Sequence, residues 1–268
     1  MIRNFGVLIA LMLLNACASV PQTSGVQLVS DKPLETITDQ QGRNVSRYVD
    51  AARLSEIKSY VLPEINLTLP AENPDISKEQ LALISNALNR SICTRLGQYL
   101  TADTDASGNA MRVEVSLTGI TPTSKSIARL SAAVDTFVPG PFRIPVGMGA
   151  IAVDARASND EATLAFMRWA KGANPVFNSA KVSSIGDAYA LIETFTREFS
   201  RLLLQGAGGE EKRAKLPKQE IESNENLCET RFGKVDLVRK GASFLIPLSP
   251  EFIDKGKPET TKDSEDGN

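Results

Sequence analysis

SKEQLALISNALNRSICTRLG (residues 77–97) and, shortly after it, MRVEVSLTGI (residues 111–120) carry the two hydrophobic periods that decide the fold. In the first stretch Leu81, Ile84, Leu88, Ile92 and Leu96 recur every three or four residues. At about 100° per residue they share one stripe of a helix. Ser77 and Gln80 make a Ser-x-x-Gln capping box at its start, and Gly97 supplies a stop. In the second stretch Met111, Val113, Val115, Leu117 and Gly119 alternate with Arg112, Glu114, Ser116 and Thr118. That is the period of a strand with one buried face, against which the helix can cover its stripe.

Working outward, Gly149–Arg156 and Thr163–Lys171 read as two further strands, and the polar Ser158-Asn159-Asp160 between them reads as a hairpin turn. Ile185, Ala188, Leu191, Ile192, Phe195, Phe199, Leu202 and Leu203 give a second helical stripe over 184–204, ended by Gly206, Gly208 and Gly209. Ile57–Leu69 is strand-like, but Pro63 lacks a ladder donor and makes it an edge or bulged strand. The order strand, helix, three strands, helix predicts an α+β domain over 51–205, with two helices on one face of a mostly antiparallel sheet. Trp169, on a strand, is expected in its core.

The flanks read differently. Residues 17–50 are rich in Ser, Thr, Gln, Asp and Pro and are expected to be a tether, with Val26, Leu28 and Val29 able to form a short strand along the domain. Residues 206–253 are expected to be a charged hinge and an extension packing on the domain. The last fifteen residues, 254–268, hold five acids, three lysines and no apolar side chain and are expected to be a disordered tail.

At the other end, Arg3 is the only charge before an apolar run from Phe5 to Leu14, too short to span a bilayer and suited to a secretory signal. It ends in Leu14-Asn15-Ala16-Cys17, which resembles the lipobox of bacterial lipoproteins, with Asn15 where a small residue is usual. The resemblance implies cleavage after residue 16 and lipidation of Cys17 through its thiol. An ordinary signal peptide is the other reading, which Ala16-Cys17-Ala18 fits poorly. Two or three acyl chains hold a protein on a membrane almost permanently, whereas one binds marginally. Ala18 in place of Asp favours, by the rule of that family, the inner leaflet of the outer membrane, with the domain facing the periplasm.

Composition excludes more than it assigns. The 268 residues include no histidine and only three cysteines, and Lys plus Arg (30) nearly balance Asp plus Glu (32). Histidine-dependent triads and metal sites are therefore absent, and there is no net basic field to recruit nucleic acid. No nucleophile elbow and no phosphate-binding glycine loop occurs. Neither a metal nor a cofactor is expected. Glu114 and Asp154 are the strand carboxylates available for acid–base work; Glu114 lies on the polar phase and is expected to be solvated, and the phase of Asp154 does not orient it.

Tyr48-Val49, Tyr60-Val61 with Pro63, the capped helix, Leu117-Thr118 with Pro122, Gly149–Asp160 and the final helix together resemble uncharacterised bacterial lipoproteins, domain-of-unknown-function family 3313. The resemblance covers about 45–205 and implies an envelope lipoprotein with a small α+β domain; it carries no catalytic or ligand residues.

Two candidate features remain. Cys93 and Cys228, left over once Cys17 is lipidated, are expected to pair in an oxidising compartment and pin the extension to the first helix; the alternative is two buried thiols. Thr136–Met148 is apolar with three prolines, and Phe137, Phe142, Ile144 and Met148 offer either a surface for a partner or acyl chain or a plug over one end of the core. The functional expectation is a non-catalytic binding or assembly component of the envelope, with an envelope protein as partner. The alternatives are an accessory that carries or senses a lipid or other apolar ligand and, more remotely, a histidine-free hydrolase.

Overall fold

The computed structural model describes residues 28–38, 44–62, 75–104, 110–124, 148–173, 183–204, 213–236, 248–254 and 256. Seven strands form one sheet in the order β1-β2-β7-β6-β5-β3-β4. They are β1 (Glu35–Thr38), β2 (Asn44–Val49), β3 (Ser59–Val61), β4 (Thr101–Ala102), β5 (Met111–Thr121), β6 (Ala150–Ser158) and β7 (Thr163–Gly172). All neighbours pair antiparallel except β3, which runs parallel to both β4 and β5. The helices are α1 (Ala51–Glu56), α2 (Lys78–Leu96), α3 (Gly186–Leu204), α4 (Lys218–Phe232) and the single turn α5 (Pro250–Ile253). The fold is α+β, as the period change predicts.

The capping box at the start of α2 forms: the Ser77 hydroxyl accepts from the Gln80 N–H at 3.3 Å, and the Gln80 Oε1 accepts from the Ser77 N–H at 3.1 Å. Ile84, Leu88, Ile92 and Leu96 of the expected stripe are fully buried. They meet Met111, Val113 and Leu117 of β5, Ile151, Val153 and Ala155 of β6 and Met167 and Trp169 of β7 in one core. The α3 stripe joins it, with the Trp169 ring edge-on to Phe195 at 5.6 Å and its Nε1 donating to Glu198 at 3.1 Å. The β6–β7 hairpin turns on Asn159, whose side-chain oxygen accepts from the N–H groups of Glu161 and Ala162 at 3.2 and 3.0 Å.

Four expectations need correction. Part of the stretch assigned to a tether, residues 35–49, contributes β1 and β2, which extend the sheet beyond β7. Its polar composition hid them, because β2 has a single well-buried side chain, Val45, among its described ones. Second, β3 lies one place in from the edge, with the two-residue β4 outside it; Pro63 falls outside the described residues. Third, the charged stretch after residue 210 holds a 15-residue helix, α4, which buries only Asn224, Cys228 and Phe232 and so shows little apolar periodicity. It ends at Gly233, whose φ of 84° is a left-handed conformation that favours glycine. Fourth, Asp254, the first residue of the expected tail, is buried. The glycines after the second helix lie outside the described residues.

The face of the sheet turned away from α2 and α3 is not a plain solvent face. Along β5 burial ceases to alternate after Val115, and Ser116, Leu117, Thr118 and Gly119 are all buried, with a register shift between Leu117 and Gly119. Phe166 and Ala152 on this outer face are also closed off from solvent.

Candidate functional site

Strand register lines up a polar row across the outer face: Ser116 on β5, Asp154 on β6, Arg168 on β7, Ser46 on β2 and Thr36 on β1. The Asp154 carboxylate is almost wholly buried and takes both the Nε and an Nη of Arg168 at 3.2 Å. Burial is the largest influence on this carboxyl and raises its pKa above the usual value; Arg168 and the Leu28 N–H pull it down again without cancelling that effect. Ser46 and Thr36 exchange a hydroxyl hydrogen bond at 3.1 Å further along the row. In the next row Glu114 accepts from the Arg156 Nε at 2.8 Å, so Glu114 is ion-paired at the sheet surface rather than simply solvated. Each of these two strand carboxylates thus faces a guanidinium on the neighbouring strand.

A second cluster locks both ends of the 124–148 connection. The Asp187 carboxylate, at the first turn of α3, accepts from the Thr123 hydroxyl at 3.0 Å and from the Gly149 N–H at 2.7 Å. The Thr123 N–H donates to the Ser184 carbonyl at 2.7 Å, and the Asp187 N–H returns to the Thr123 Oγ1 at 3.2 Å. Asp187, near a helix N-terminus, also complements the helix dipole. The backbone at Gly149 is so close that a Cβ there would lie 2.6 Å from the Thr123 Oγ1 and 2.9 Å from the Thr121 carbonyl. Gly149→Ala is expected to cost about 1–3 kcal/mol through this overlap, read as a lower urea midpoint at unchanged slope. An unchanged midpoint would show that the two ends are not held this tightly.

The extension is fastened at three places. Cys93 on α2 and Cys228 on α4 form a disulfide with a Cα–Cα distance of 5.8 Å. Beside it the Tyr60 hydroxyl donates to the Cys93 carbonyl at 2.6 Å. The Asn224 amide donates to the carbonyls of Gly97 and Leu100 at 2.9 and 3.1 Å, and its oxygen accepts from the Ala102 N–H at 3.0 Å. Asp254 pairs with Arg90, and Glu251 of α5 accepts from Gln80 and Ser183, each at 2.7 Å. Burial would raise the Glu251 pKa, but the donors from Ser183, Gln80 and its own turn outweigh that and hold it below the usual value.

Of the residues singled out in the sequence, Cys93 and Cys228 are brought together. Cys17, Phe137, Phe142 and Ile144 lie outside the described residues. Met148 is 4 % exposed, so it belongs to the interior and is withdrawn as a contact residue. The clamp on Asp187 and the Arg90–Asp254 pair escaped sequence reading, because a lone acid at a helix start or in a charged tail is ordinarily solvated. Among the described residues no group of three His, Cys, Asp or Glu is placed to hold a metal ion, and no helix is long and apolar enough to cross a membrane.

A family model described as a protein of unknown function, DUF3313, matches residues 26–199. The chain belongs to the DUF3313 family. The DUF3313 match begins two residues before Leu28 and takes in all seven strands and most of α3, while α4 and α5 lie beyond it. Two solved structures of the PelC dodecamer from Paraburkholderia phytofirmans, one of a point variant, are distantly similar to the chain. They share 14 % identity (TM-score 0.34, covering 65 % of this chain and 99 % of PelC) and, for the variant, 12 % (TM-score 0.33, 64 % and 98 %). No curated protein matches the sequence.

Proposed function

We propose that this DUF3313 protein is a lipoprotein of the bacterial envelope, anchored through Cys17 in the outer membrane and facing the periplasm, where it acts as a non-catalytic binding or assembly component. The observation that carries the reading is the disulfide between Cys93 and Cys228, since structural disulfides belong to oxidising compartments and imply export. The apolar run before Cys17 supplies the export signal, and the lipobox-like Leu14-Asn15-Ala16-Cys17 supplies the anchor. Pairing of the strand carboxylates with arginines speaks for a non-catalytic role. The contact surface in this reading is the apolar segment with Phe137, Phe142 and Ile144, whose flanking residues Thr123 and Gly149 are held by Asp187.

Labelling cells with a radioactive or clickable palmitate tests the anchor. Label on the wild-type chain, its presence in the outer-membrane fraction and loss of both in Cys17→Ser are the expected results. An unlabelled wild-type chain in the soluble fraction would overturn it. For the surface, in-cell crosslinking is expected to capture an envelope protein with the wild type and not with Phe142→Ala at equal stability. Capture of lipid alone would replace the assembly role with that of an apolar-ligand carrier.

A further inference from the structure

Residues 28–34 cross the outer face of the sheet without joining its ladder, since β1 begins only at Glu35. Their exposure alternates, Leu28, Ser30, Lys32 and Leu34 being half-buried while Val29, Asp31 and Pro33 face solvent. That is how an extended chain lies on a surface. Both backbone groups of Leu28 are taken by the buried ion pair: its carbonyl accepts from an Nη of Arg168 at 3.4 Å, and its N–H donates to the Asp154 carboxylate. Three residues on, the Asp31 carboxyl is held below its usual pKa, the Thr163 side chain at the far end of β7 being the largest influence. The Ser30 hydroxyl closes a small turn with the Lys32 backbone, donating to its carbonyl at 3.0 Å and accepting from its N–H at 3.2 Å. Val29, at 76 % exposure, contributes nothing to holding the segment down. The segment is therefore fastened by side chains of β6 and β7 and can lift without a ladder bond breaking.

We infer that Leu28–Lys32 is a docking strap that sets the working length of the leash between the lipid anchor and the domain, a reading that rests on the lipidation of Cys17 proposed above. With the strap docked, eleven residues of chain lead from Cys17 to Leu28 and can span at most about 36–40 Å. With it released, the leash runs to Glu35, eighteen residues, and spans about 59–65 Å. Docking thus removes about two fifths of the reach and keeps the β6–β7 face, across which the strap runs, on the side of the membrane.

The test uses the full acylated chain in phosphatidylcholine vesicles carrying a dansyl-labelled headgroup, with Trp169, the single tryptophan, as donor. Arg168→Gln loosens the strap from the sheet side, and Leu28→Pro removes the N–H that Asp154 accepts while leaving every sheet side chain in place. In the wild type the Leu28 amide is expected to exchange at least tenfold more slowly than in an unstructured chain. Energy transfer from Trp169 to the headgroup is expected to fall in both variants while exchange within α3 stays unchanged. An unprotected Leu28 amide in the wild type, or equal transfer in all three proteins, overturns the strap. The intact mass separates this from the anchor: an unmodified Cys17 removes the leash and the reading it rests on, while exchange at Leu28 still reports whether the strap docks.

Discussion

Replacing the disulfide by Cys93→Ala and Cys228→Ala together lowers the thermal midpoint by roughly 10–20 °C. The bond closes a loop with a sequence separation of 135 residues, and in the chain-entropy model that restricts the unfolded chain by about 5 kcal/mol. For a domain of this size each kcal/mol moves the midpoint by about 2–4 °C, which gives the range stated. Nothing else ties α4 down so firmly. It buries Asn224, Cys228 and Phe232 only, and a charged helix of 15 residues is marginal in water on its own. Once the bond is gone, the Asn224 bridge to Gly97, Leu100 and Ala102 and the packing of Phe232 must hold the helix alone. Exchange of the α4 amides should therefore rise before the rest of the domain unfolds. A midpoint within about 3 °C of the wild type, with α4 equally protected, would mean the native contacts alone suffice. Reduction of the wild type by dithiothreitol should reproduce the variant, at a slow rate because both sulfurs are buried.

What the sequence made legible follows from how strongly a residue's surroundings are repeated along the chain. The stripes of α2 and α3 and the alternation of β5 are periodic over ten residues or more, so one miscast position does not obscure them. The β6–β7 hairpin was readable from Asn159, whose side chain has a local task in the turn. By contrast β1 and β2 pair at the polar margin of the sheet. There the backbone ladder rather than side-chain burial holds them, and Ser, Thr, Arg and Asn serve there as well as in a tether. α4 was hidden for a related reason: a covalent bond and one asparagine replace the apolar stripe by which helices are recognised. Asp154 illustrates the limit at the candidate site. Its partners, Arg168 fourteen residues on and the Leu28 backbone 126 residues before it, meet only through the sheet register. The pairing of Cys93 with Cys228 was accessible only because the count left two thiols after Cys17.

Asp254→Ala is the second large loss expected, about 3–5 kcal/mol, from a residue that composition assigns to a disordered tail. In the folded chain its carboxylate has no solvent exposure and Arg90 is 9 % exposed. Arg90 reaches it from the middle of α2 with both terminal nitrogens and also donates to the Phe232 carbonyl at 3.1 Å. The Tyr189 hydroxyl on α3 adds a donor at 2.7 Å, and the Gly256 N–H another at 3.0 Å. Burial first, and then the charge of Asp254, push the Tyr189 hydroxyl above its ordinary pKa. Two helices and the C-terminal segment thus converge on one carboxylate whose acceptor capacity is filled. Removing it leaves a buried guanidinium without a counter-charge, the costly half of breaking such a pair. Arg90→Met should cost a similar amount for the mirror reason, stranding the carboxylate. The double variant Arg90→Met with Asp254→Ala, which strands neither charge, should lose several kcal/mol less than the two single losses combined. Urea denaturation of the four proteins closes the cycle. A single loss below about 1 kcal/mol for Asp254→Ala, or strict additivity in the double variant, would mean the C-terminal segment is held by the Glu251 contacts to Gln80 and Ser183 and not by this pair.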